Sequence, residues 1–584
     1  MNISKSDSTD SDNQPVARRP LSLSRRALLG TLGALGVGSP VFQRALAAQV
    51  QQAKQITPEM IKQAEWVAGI ELPEDARQST AQAVGRLVRD FEAMRGVKLD
   101  NSVAPALVFQ PAPWHVPSGP PDRGSVRLSK EAVAKRPESA ETLAFAPVAE
   151  LAGLLRTRQV TSVELTKLYL ERLKKFDPVL HCVVNLTEEL ALKSAESADR
   201  EIAAGRYRGP LHGVPWGAKD LIAYPGYKTT WGAKPYKDQT IAVKATVAQR
   251  LEDAGAILIA KLALGALAMG DQWFGGLCRS PWNPTRGSSG SSAGSASATA
   301  AGCVGFSLGS ETQGSIISPS RVCGNTSLRP TFGRVSRHGC MALSWSMDKI
   351  GPLCRSVEDC ALVLGAIHGA DGQDAAAVDR PLHWPCPRDL RSIRVGYLEG
   401  RKDAPEMAVL KELGVQLVPI KLPAKYPIDA LGVILTAEAA ASFDDLTRLG
   451  VTDGLNTWPR TFRSGQFIPA VEYIRANRIR SLVMQEMEGV MGQVDLYVGG
   501  NDLQLTNLTG HPTLIMPNGF IKNDEIETPR SITFTGRLYG ETELLAVGHA
   551  YQQATGHHLR HPPMERWLTK PKTTETKEKK ETKS

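Results

Sequence analysis

Apolar residues along this chain recur with helical spacing, and short apolar or β-branched runs separate the helical stretches. Thr161-Ser-Val-Glu164 has the spacing of a capping box, so a helix with one buried stripe is predicted to start there, with its apolar face formed by Leu165, Leu168, Tyr169 and Leu173. Candidate strands are residues 256–260, 393–397, 415–419 and 496–498. This alternation predicts an α/β domain with a central, largely covered sheet.

The region before that domain has a different pattern. Residues 56–99 show helical spacing with Pro58 placed for a helix start, which predicts two or three helices. Proline and serine are frequent over residues 100–140, which predicts an extended linker along a surface. We therefore assign residues 49–140 to an accessory helical segment and linker, 141–567 to the main domain and 568–584 to a disordered tail of lysine, threonine and glutamate.

The amino terminus has the order of a targeting segment. A polar stretch leads to Ser24-Arg25-Arg26-Ala27-Leu28-Leu29, a short apolar run reaches Gly38, and Ala45-Leu46-Ala47 offers small residues for cleavage. The arginine pair resembles a twin-arginine export signal, so residues 1–48 predict a periplasmic or extracellular protein. The run is too short and glycine-rich for a stable membrane span.

Charge and cysteine content narrow the function classes. The formal charge is +9, but residues 1–48 and 570–584 each carry six basic and three acidic groups, so the body retains only +3. A small dispersed excess of this kind does not favour a nucleic-acid partner. The eight cysteines form no Cys-x-x-Cys pair, so neither a zinc site nor a disulfide framework is indicated, although one or two bridges stay possible in an oxidising compartment.

The most informative stretch is Gly287-Ser-Ser-Gly-Ser-Ser-Ala-Gly-Ser295, followed by Gly309-Ser-Glu-Thr-Gln-Gly-Ser-Ile-Ile317. Glycine and serine runs are usually linkers. This one continues into an apolar stretch that favours burial, which indicates close backbone approach to a ligand or catalytic group. The other chemical interpretation, the nucleophile elbow of α/β-hydrolases, needs a strand immediately before it, and Pro281-Trp-Asn-Pro284 is not one.

From about residue 143 to 560 the chain resembles the amidase-signature enzymes. The matching stretches, besides the two above, are Leu211-His-Gly-Val-Pro-Trp-Gly-Ala-Lys-Asp-Leu221, Asn283-Pro284, Cys323-Gly324, Leu328-Arg-Pro-Thr-Phe-Gly-Arg-Val-Ser336, Gly351-Pro352 and Asn507-Leu-Thr-Gly-His-Pro512. Their order and spacing make the match specific. It implies the amidase-signature fold, a mixed sheet with helices on both faces.

The resemblance also implies roles at the site. Lys219 matches the catalytic lysine, Ser291 the bridging serine after a cis peptide bond, Ser315 the nucleophile and Ser292 a supporting hydroxyl. A serine hydroxyl attacks efficiently only when a base takes its proton, and a lysine is that base only when neutral, a state that burial favours. The oxyanion would be bound by the backbone N–H groups of Thr312, Gln313, Gly314 and Ser315.

The chain departs from the family pattern close to the nucleophile. Gln313 replaces a usual glycine, Ile317 a usual arginine, Glu311 a usual aspartate, and Ala293 stands where glycine is preferred. Gln313 preserves the backbone donors only if its φ suits a non-glycine residue. The lost arginine removes an ion-pair partner of the site.

The implied activity is hydrolysis of a carbon–nitrogen bond in a small amide, without metal or cofactor. No phosphate-cradling loop, His-Glu-x-x-His motif or histidine cluster is present in the sequence. One alternative is the glutaminase part of an A-subunit-like glutamyl-tRNA(Gln) amidotransferase. Residues 56–111 of this chain resemble the small C subunit of that complex. An export signal argues against that role, because tRNA charging is cytoplasmic. The other alternative, motivated by Gln313 and Ile317, is an inactive amidase fold used for binding.

Overall fold

The structure, a computed structural model, describes residues 55–99, 106–107, 122–130, 135–500, 502–523 and 525–568. The chain divides into Met1–Thr57 and Pro58–Ser584, and every element named below belongs to the second unit. The predicted export signal lies outside the described residues, as do most of the proline-rich linker and the tail after Leu568. None of the described helices combines the length and the apolar character that crossing a membrane requires.

The helices and strands follow in chain order. The helices are α1 (Pro58–Ala68), α2 (Glu74–Arg95), α3 (Ala140–Phe145), α4 (Val148–Arg156), α5 (Ser162–Leu180), α6 (Glu188–Ala203), α7 (Thr246–Asp253), α8 (Ala293–Ala300), α9 (Ile317–Cys323), α10 (Val357–Ile367), α11 (Pro405–Glu412), α12 (Val433–Ser442), α13 (Asp444–Arg448), α14 (Trp458–Gly465), α15 (Ala470–Met491), α16 (Leu503–Leu508) and α17 (Glu541–Thr555). The strands are β1 (Gly124–Val126), β2 (Val183–Leu186), β3 (Pro215–Lys219), β4 (Ile257–Leu262), β5 (Gln272–Trp273), β6 (Gly276–Leu277), β7 (Phe306–Glu311), β8 (Thr326–Arg329), β9 (Lys349–Cys354), β10 (Leu382–Trp384), β11 (Arg394–Leu398), β12 (Gln416–Ile420), β13 (Leu496–Val498), β14 (Thr513–Asn523) and β15 (Ile526–Gly536).

Within the described residues, eleven strands form one mixed sheet in the order β12-β11-β13-β15-β14-β8-β9-β7-β3-β4-β2. Strand β3 runs parallel to both β4 and β7, whereas β9 is antiparallel to both β7 and β8. Strands β3, β7 and β8 therefore point the same way, and their carboxyl ends meet at one edge of the sheet. Lys219, Glu311 and Arg329 are the last residues of these three strands.

Both faces of the sheet centre are covered. Every residue of β3, β4, β7 and β9 is buried. Successive side chains of a strand point to opposite faces, so complete burial requires a covering layer on each face. The predicted α/β class with a covered, mixed sheet is confirmed.

Several local predictions are also confirmed. Thr161 caps α5, its side chain accepting a hydrogen bond from the Glu164 backbone N–H at 3.0 Å. The four predicted strands appear as β4, β11, β12 and β13, with ends shifted by at most two residues. Helix α1 begins at Pro58.

Helix α2 packs onto the helices that follow β12. Leu87, Phe91 and Met94 share a buried cluster with Ile434 of α12 and Ile479 of α15. At its carboxyl end, the guanidinium of Arg95 pairs with the carboxylate of Glu472 at 2.7 Å. The accessory segment is thus joined to the main domain by an apolar interface and a charge pair. From the linker, β1 pairs in parallel with β10.

Candidate active site

Lys219 ends β3 with its side chain fully buried among serines. Its Nζ lies 2.8 Å from Ser291 Oγ, 3.0 Å from Ser292 Oγ and 2.9 Å from Ser310 Oγ. The Ser310 carbonyl oxygen lies 3.3 Å away. These neighbours are hydroxyls and a carbonyl, so the amine is held by hydrogen bonds, and no carboxylate of the described residues is in direct contact with it.

Burial governs the charge of this amine. Removal of water disfavours the ammonium form and lowers the pKa of Lys219 to about 7, although the nearby carboxylates of Asp348 and Glu311 act in the opposite direction. A large fraction of Lys219 is therefore neutral near pH 7, which is the form that can accept a proton.

The Gly/Ser segment lies inside the protein. The Gly290–Ser291 peptide bond is cis, as the resemblance predicts. A Cβ atom at position 290 would lie 1.8 Å from the carbonyl oxygen of Gly270, so only glycine fits there. Helix α8, which starts at Ala293, is buried along its whole length. These facts exclude a free linker and place Ser291 against the lysine.

Ser292 joins this segment to its neighbours. Its hydroxyl accepts a hydrogen bond from the Ser310 N–H at 3.1 Å, and its backbone N–H donates to the Ser315 carbonyl at 3.0 Å. The second contact fixes the main chain of Ser315 beside Ser291 and Ser292. The structure therefore brings Lys219, Ser291, Ser292 and Ser315 together. Ser315 is 8% exposed to solvent.

Residues 312–316, which we call the nucleophile loop, connect β7 to α9. Gly314 has a φ of +86°, a value that favours glycine. Gln313 is not among the non-glycine residues with positive φ, so its backbone accommodates a side chain. Within the described part of the chain, the N–H groups of Gln313, Gly314 and Ser315 donate no hydrogen bond to the protein. Three free donors next to a serine are what an oxyanion site requires.

Glu311 holds the end of this loop in place through hydrogen bonds to its backbone. One carboxylate oxygen accepts hydrogen bonds from the N–H groups of Ile316 and Ile317 at 2.8 and 3.0 Å. The other accepts from Arg329 at 2.7 Å and from the Asn507 side chain at 2.8 Å. Burial alone would raise the pKa of Glu311, but the charges of Arg329 and Lys349 and these hydrogen bonds lower it to about 2. Arg329 is thus the ion-pair partner of Glu311 in this chain.

Residues that the sequence interpretation did not select complete the site. Ser310 touches Lys219, and Asp348 accepts a hydrogen bond from Thr312 Oγ1 at 2.5 Å. Ser310 lies in the stretch from Gly309 to Ile317 that the sequence singles out, and this was a usable signal for it. Asp348 carries no local signal, because only the fold brings it to Thr312. Arg329 lies in the matching stretch Leu328–Ser336, but its pairing with Glu311 depends on the sheet.

A buried ion pair supports the strand end next to Lys219. Lys261 Nζ lies 2.6 Å from Asp220 Oδ1, and both side chains have no exposed surface. We expect Lys261→Met to lower the free energy of unfolding by about 3–5 kcal/mol, because the Asp220 carboxylate would stay buried without a counter-charge. Urea denaturation measures this change. Adding Asp220→Asn should recover part of the loss, and an unchanged midpoint for Lys261→Met would contradict the argument.

Comparison with known proteins gives consistent findings. The family model described as Amidase matches residues 164–500. In Chloroflexus aurantiacus, the A subunit of glutamyl-tRNA(Gln) amidotransferase is 34% identical over 472 residues, covering 70% of this chain and 96% of that protein. The native peptide amidase of Stenotrophomonas maltophilia superposes with a TM-score of 0.63 at 29% identity, covering 72% of this chain and 98% of that one. A bacterial aryl acylamidase shares the fold, with a TM-score of 0.64 at 22% identity.

Proposed function

The chain belongs to the amidase family, and on this basis we propose that it hydrolyses the carbon–nitrogen bond of a small amide through an acyl-enzyme on Ser315. The observation that carries the proposal is the 2.8 Å contact between Lys219 Nζ and Ser291 Oγ in a fully buried site. A neutral lysine, a bridging serine and a loop of free N–H donors are the parts that acyl transfer needs.

The steps follow from these positions. Neutral Lys219 takes the Ser291 hydroxyl proton while Ser291 takes that of Ser315, and Ser315 Oγ bonds to the amide carbonyl carbon. The resulting oxyanion accepts hydrogen bonds from the nucleophile loop, including the N–H groups of Gln313 and Gly314. Ser291 then returns a proton to the departing nitrogen as the carbon–nitrogen bond breaks. Water attacks the acyl-enzyme by the same relay, which releases the acid and frees Ser315.

The proposal includes the export signal predicted for residues 1–48, which favours a periplasmic or extracellular amidase. The curated relatives bear the name of a glutamyl-tRNA(Gln) amidotransferase component. We retain glutaminase activity as the second candidate on the strength of that similarity. Ammonia release from glutamine, compared with release from simple amides, separates the two.

Reaction with a fluorophosphonate tests the nucleophile. We expect the intact mass of the protein to increase by one adduct, because Ser315 is the serine that the relay activates. Ser315→Ala should remain unlabelled. Ser318→Ala, which removes a hydroxyl three residues further on, should label like the wild type. A folded wild type that takes no adduct would favour the inactive, ligand-binding alternative.

A further inference from the structure

A cavity of about 440 Å³ opens at the same sheet edge as Lys219. Its apolar lining includes Leu107, Phe332, Trp345, Met484 and Leu538. Residues just after β8, just before β14 and just after β15 contribute to it, and these strand ends all lie at that edge. The cavity therefore lies at the edge of the sheet where the nucleophile loop is found.

Several of these apolar side chains are exposed to solvent. Trp345 is 52% exposed, Leu107 40% and Met484 37%. A second cavity of about 600 Å³ shares Trp345, Glu438 and Tyr473 with the first, so the two cavities are neighbours at the indole ring. Exposed apolar side chains gathered around a concave surface mark a binding site more often than isolated ones do.

The charged groups of this cavity are already satisfied by the protein. Glu438 accepts hydrogen bonds from the Ser344 and Ser346 hydroxyls at 2.6 and 2.7 Å and from Tyr473 at 2.8 Å. Arg480 donates to the carbonyl oxygens of Leu508 and Ser346 at 2.5 and 2.9 Å. The charges in the wall are therefore already paired, the rest of the lining is mainly apolar, and an uncharged group fits it best.

The cavity is structurally connected to the nucleophile loop. Asp348 accepts hydrogen bonds from the Leu343 and Ser344 N–H groups at 2.8 and 3.0 Å, which holds the turn that carries Trp345. The same carboxylate accepts from Thr312. In the sheet, β9 is the one strand that separates β7 from β8. Strand β7 leads into the nucleophile loop, and β8 leads to the cavity. Two strand spacings correspond to about 10 Å.

Part of the wall comes from outside the residues that match the family model. Ala106 and Leu107 line the cavity, and the Ala106 N–H donates to the Asn477 carbonyl of α15 at 3.1 Å. The family match covers residues 164–500. The segment that precedes the matched domain thus shapes this cavity.

We propose that this cavity binds the uncharged, apolar end of the amide substrate and makes the enzyme selective for long alkyl or aryl amides. The proposal rests on the proposed function, since it places the scissile bond at Ser315. Trp345 and Leu107 determine this specificity without taking part in the chemistry.

Two substrate series test it: 4-nitroanilides of straight-chain acids from acetyl to decanoyl, and N-alkyl acetamides of the same lengths. We expect kcat/KM to rise about fourfold for each methylene buried in one of the series, which also identifies the side of the bond that enters the cavity. In Trp345→Ala and in Leu107→Asp this rise should be lost, while the rate for the shortest substrate stays within about twofold of wild type. Trp66→Ala is the matched control, because Trp66 is 77% exposed on α1 and does not line the cavity.

A wild type that hydrolyses the shortest amide without any gain from chain length would overturn the proposal and leave the proposed function standing. The same holds if Trp345→Ala keeps the full gain. Failure of the proposed function is recognised separately, by the absence of a fluorophosphonate adduct. In that case calorimetry with decanamide decides: binding that weakens at least tenfold in Trp345→Ala supports the cavity, and no binding to the wild type rejects it.

Discussion

Replacement of Lys219 by methionine is expected to lower kcat/KM for amide hydrolysis by about 10⁴-fold or more, the loss typical when one member of a catalytic unit is removed. Methionine keeps the length of the side chain but cannot accept a proton from Ser291. Steady-state assays with an amide that the wild type cleaves measure the change. Lys228→Met is a suitable control, because it removes a half-exposed lysine paired with Asp238. A Lys219→Met variant with more than a tenth of the wild-type rate would contradict the relay.

The pH dependence of the wild type follows from the same group. With a pKa of about 7, lowered by burial, Lys219 loses its proton as the pH rises through neutrality. Only the neutral amine can act as the base, so kcat/KM should fall about tenfold per pH unit below this value and level off above it. A flat profile between about pH 5 and pH 9 would show that another group takes the proton.

Much of the fold could be predicted from local patterns. The cap at Thr161 and strands such as β13 depend on residues within a few positions of one another, and periodicity reports them directly. The long antiparallel pair β14 and β15 was not predicted. Strand β14 contains Pro517, and the register shifts between Pro517 and Phe520, so the simple alternation that identifies a strand is broken there. The strand order is non-local and has no local signal.

The candidate site divides in the same way. Lys219, Ser291 and Ser315 were found through an ordered set of motifs, and the structure brings them to one place. Their catalytic roles remain predictions that the labelling and kinetic experiments test. Arg329 lies in one of these motifs, but neither its contact nor that of Asp348 could be assigned, because each has its partner 18 or more residues away in the sequence. The sequence could not show which cation pairs with Glu311 for the same reason, since Arg329 comes from another strand.

Replacement of Glu311 by glutamine is the most demanding test of the nucleophile loop. All four groups that contact the carboxylate are donors: two backbone N–H groups, Arg329 and Asn507. A glutamine side chain keeps one oxygen as an acceptor, but its amide NH₂ group would face donors where the second oxygen was. Arg329 would also remain buried without its counter-charge. We expect the free energy of unfolding to fall by about 3–5 kcal/mol. We also expect kcat to fall by about 10²-fold as the oxyanion donors lose their positions.

The acid stability of the protein provides an independent readout. The pKa of Glu311 lies near 2 in the folded protein, below its ordinary value of 4.5. A lowered pKa stabilises the fold fully above about pH 4.5, and this contribution is lost as the pH falls from about 4.5 to 2. Urea denaturation across that range should show a term of about 3 kcal/mol in the wild type that is missing in Glu311→Gln.

A second buried pair separates stability from catalysis. Glu541 and Arg334 are both fully buried, with Glu541 Oε2 and Arg334 Nη2 3.4 Å apart, and Glu541 accepts the Thr331 N–H at 2.9 Å, outside the nucleophile loop. Glu541→Gln should destabilise the protein in the same way, yet the folded enzyme should keep its kcat, because the loop is still held by Glu311. If both variants lose stability and both keep kcat, the role of Glu311 is limited to stabilising the fold, and the positions of the free N–H groups of the loop do not depend on it. A loss of kcat confined to Glu311→Gln would show that this buried carboxylate positions the donors on which the proposed oxyanion depends.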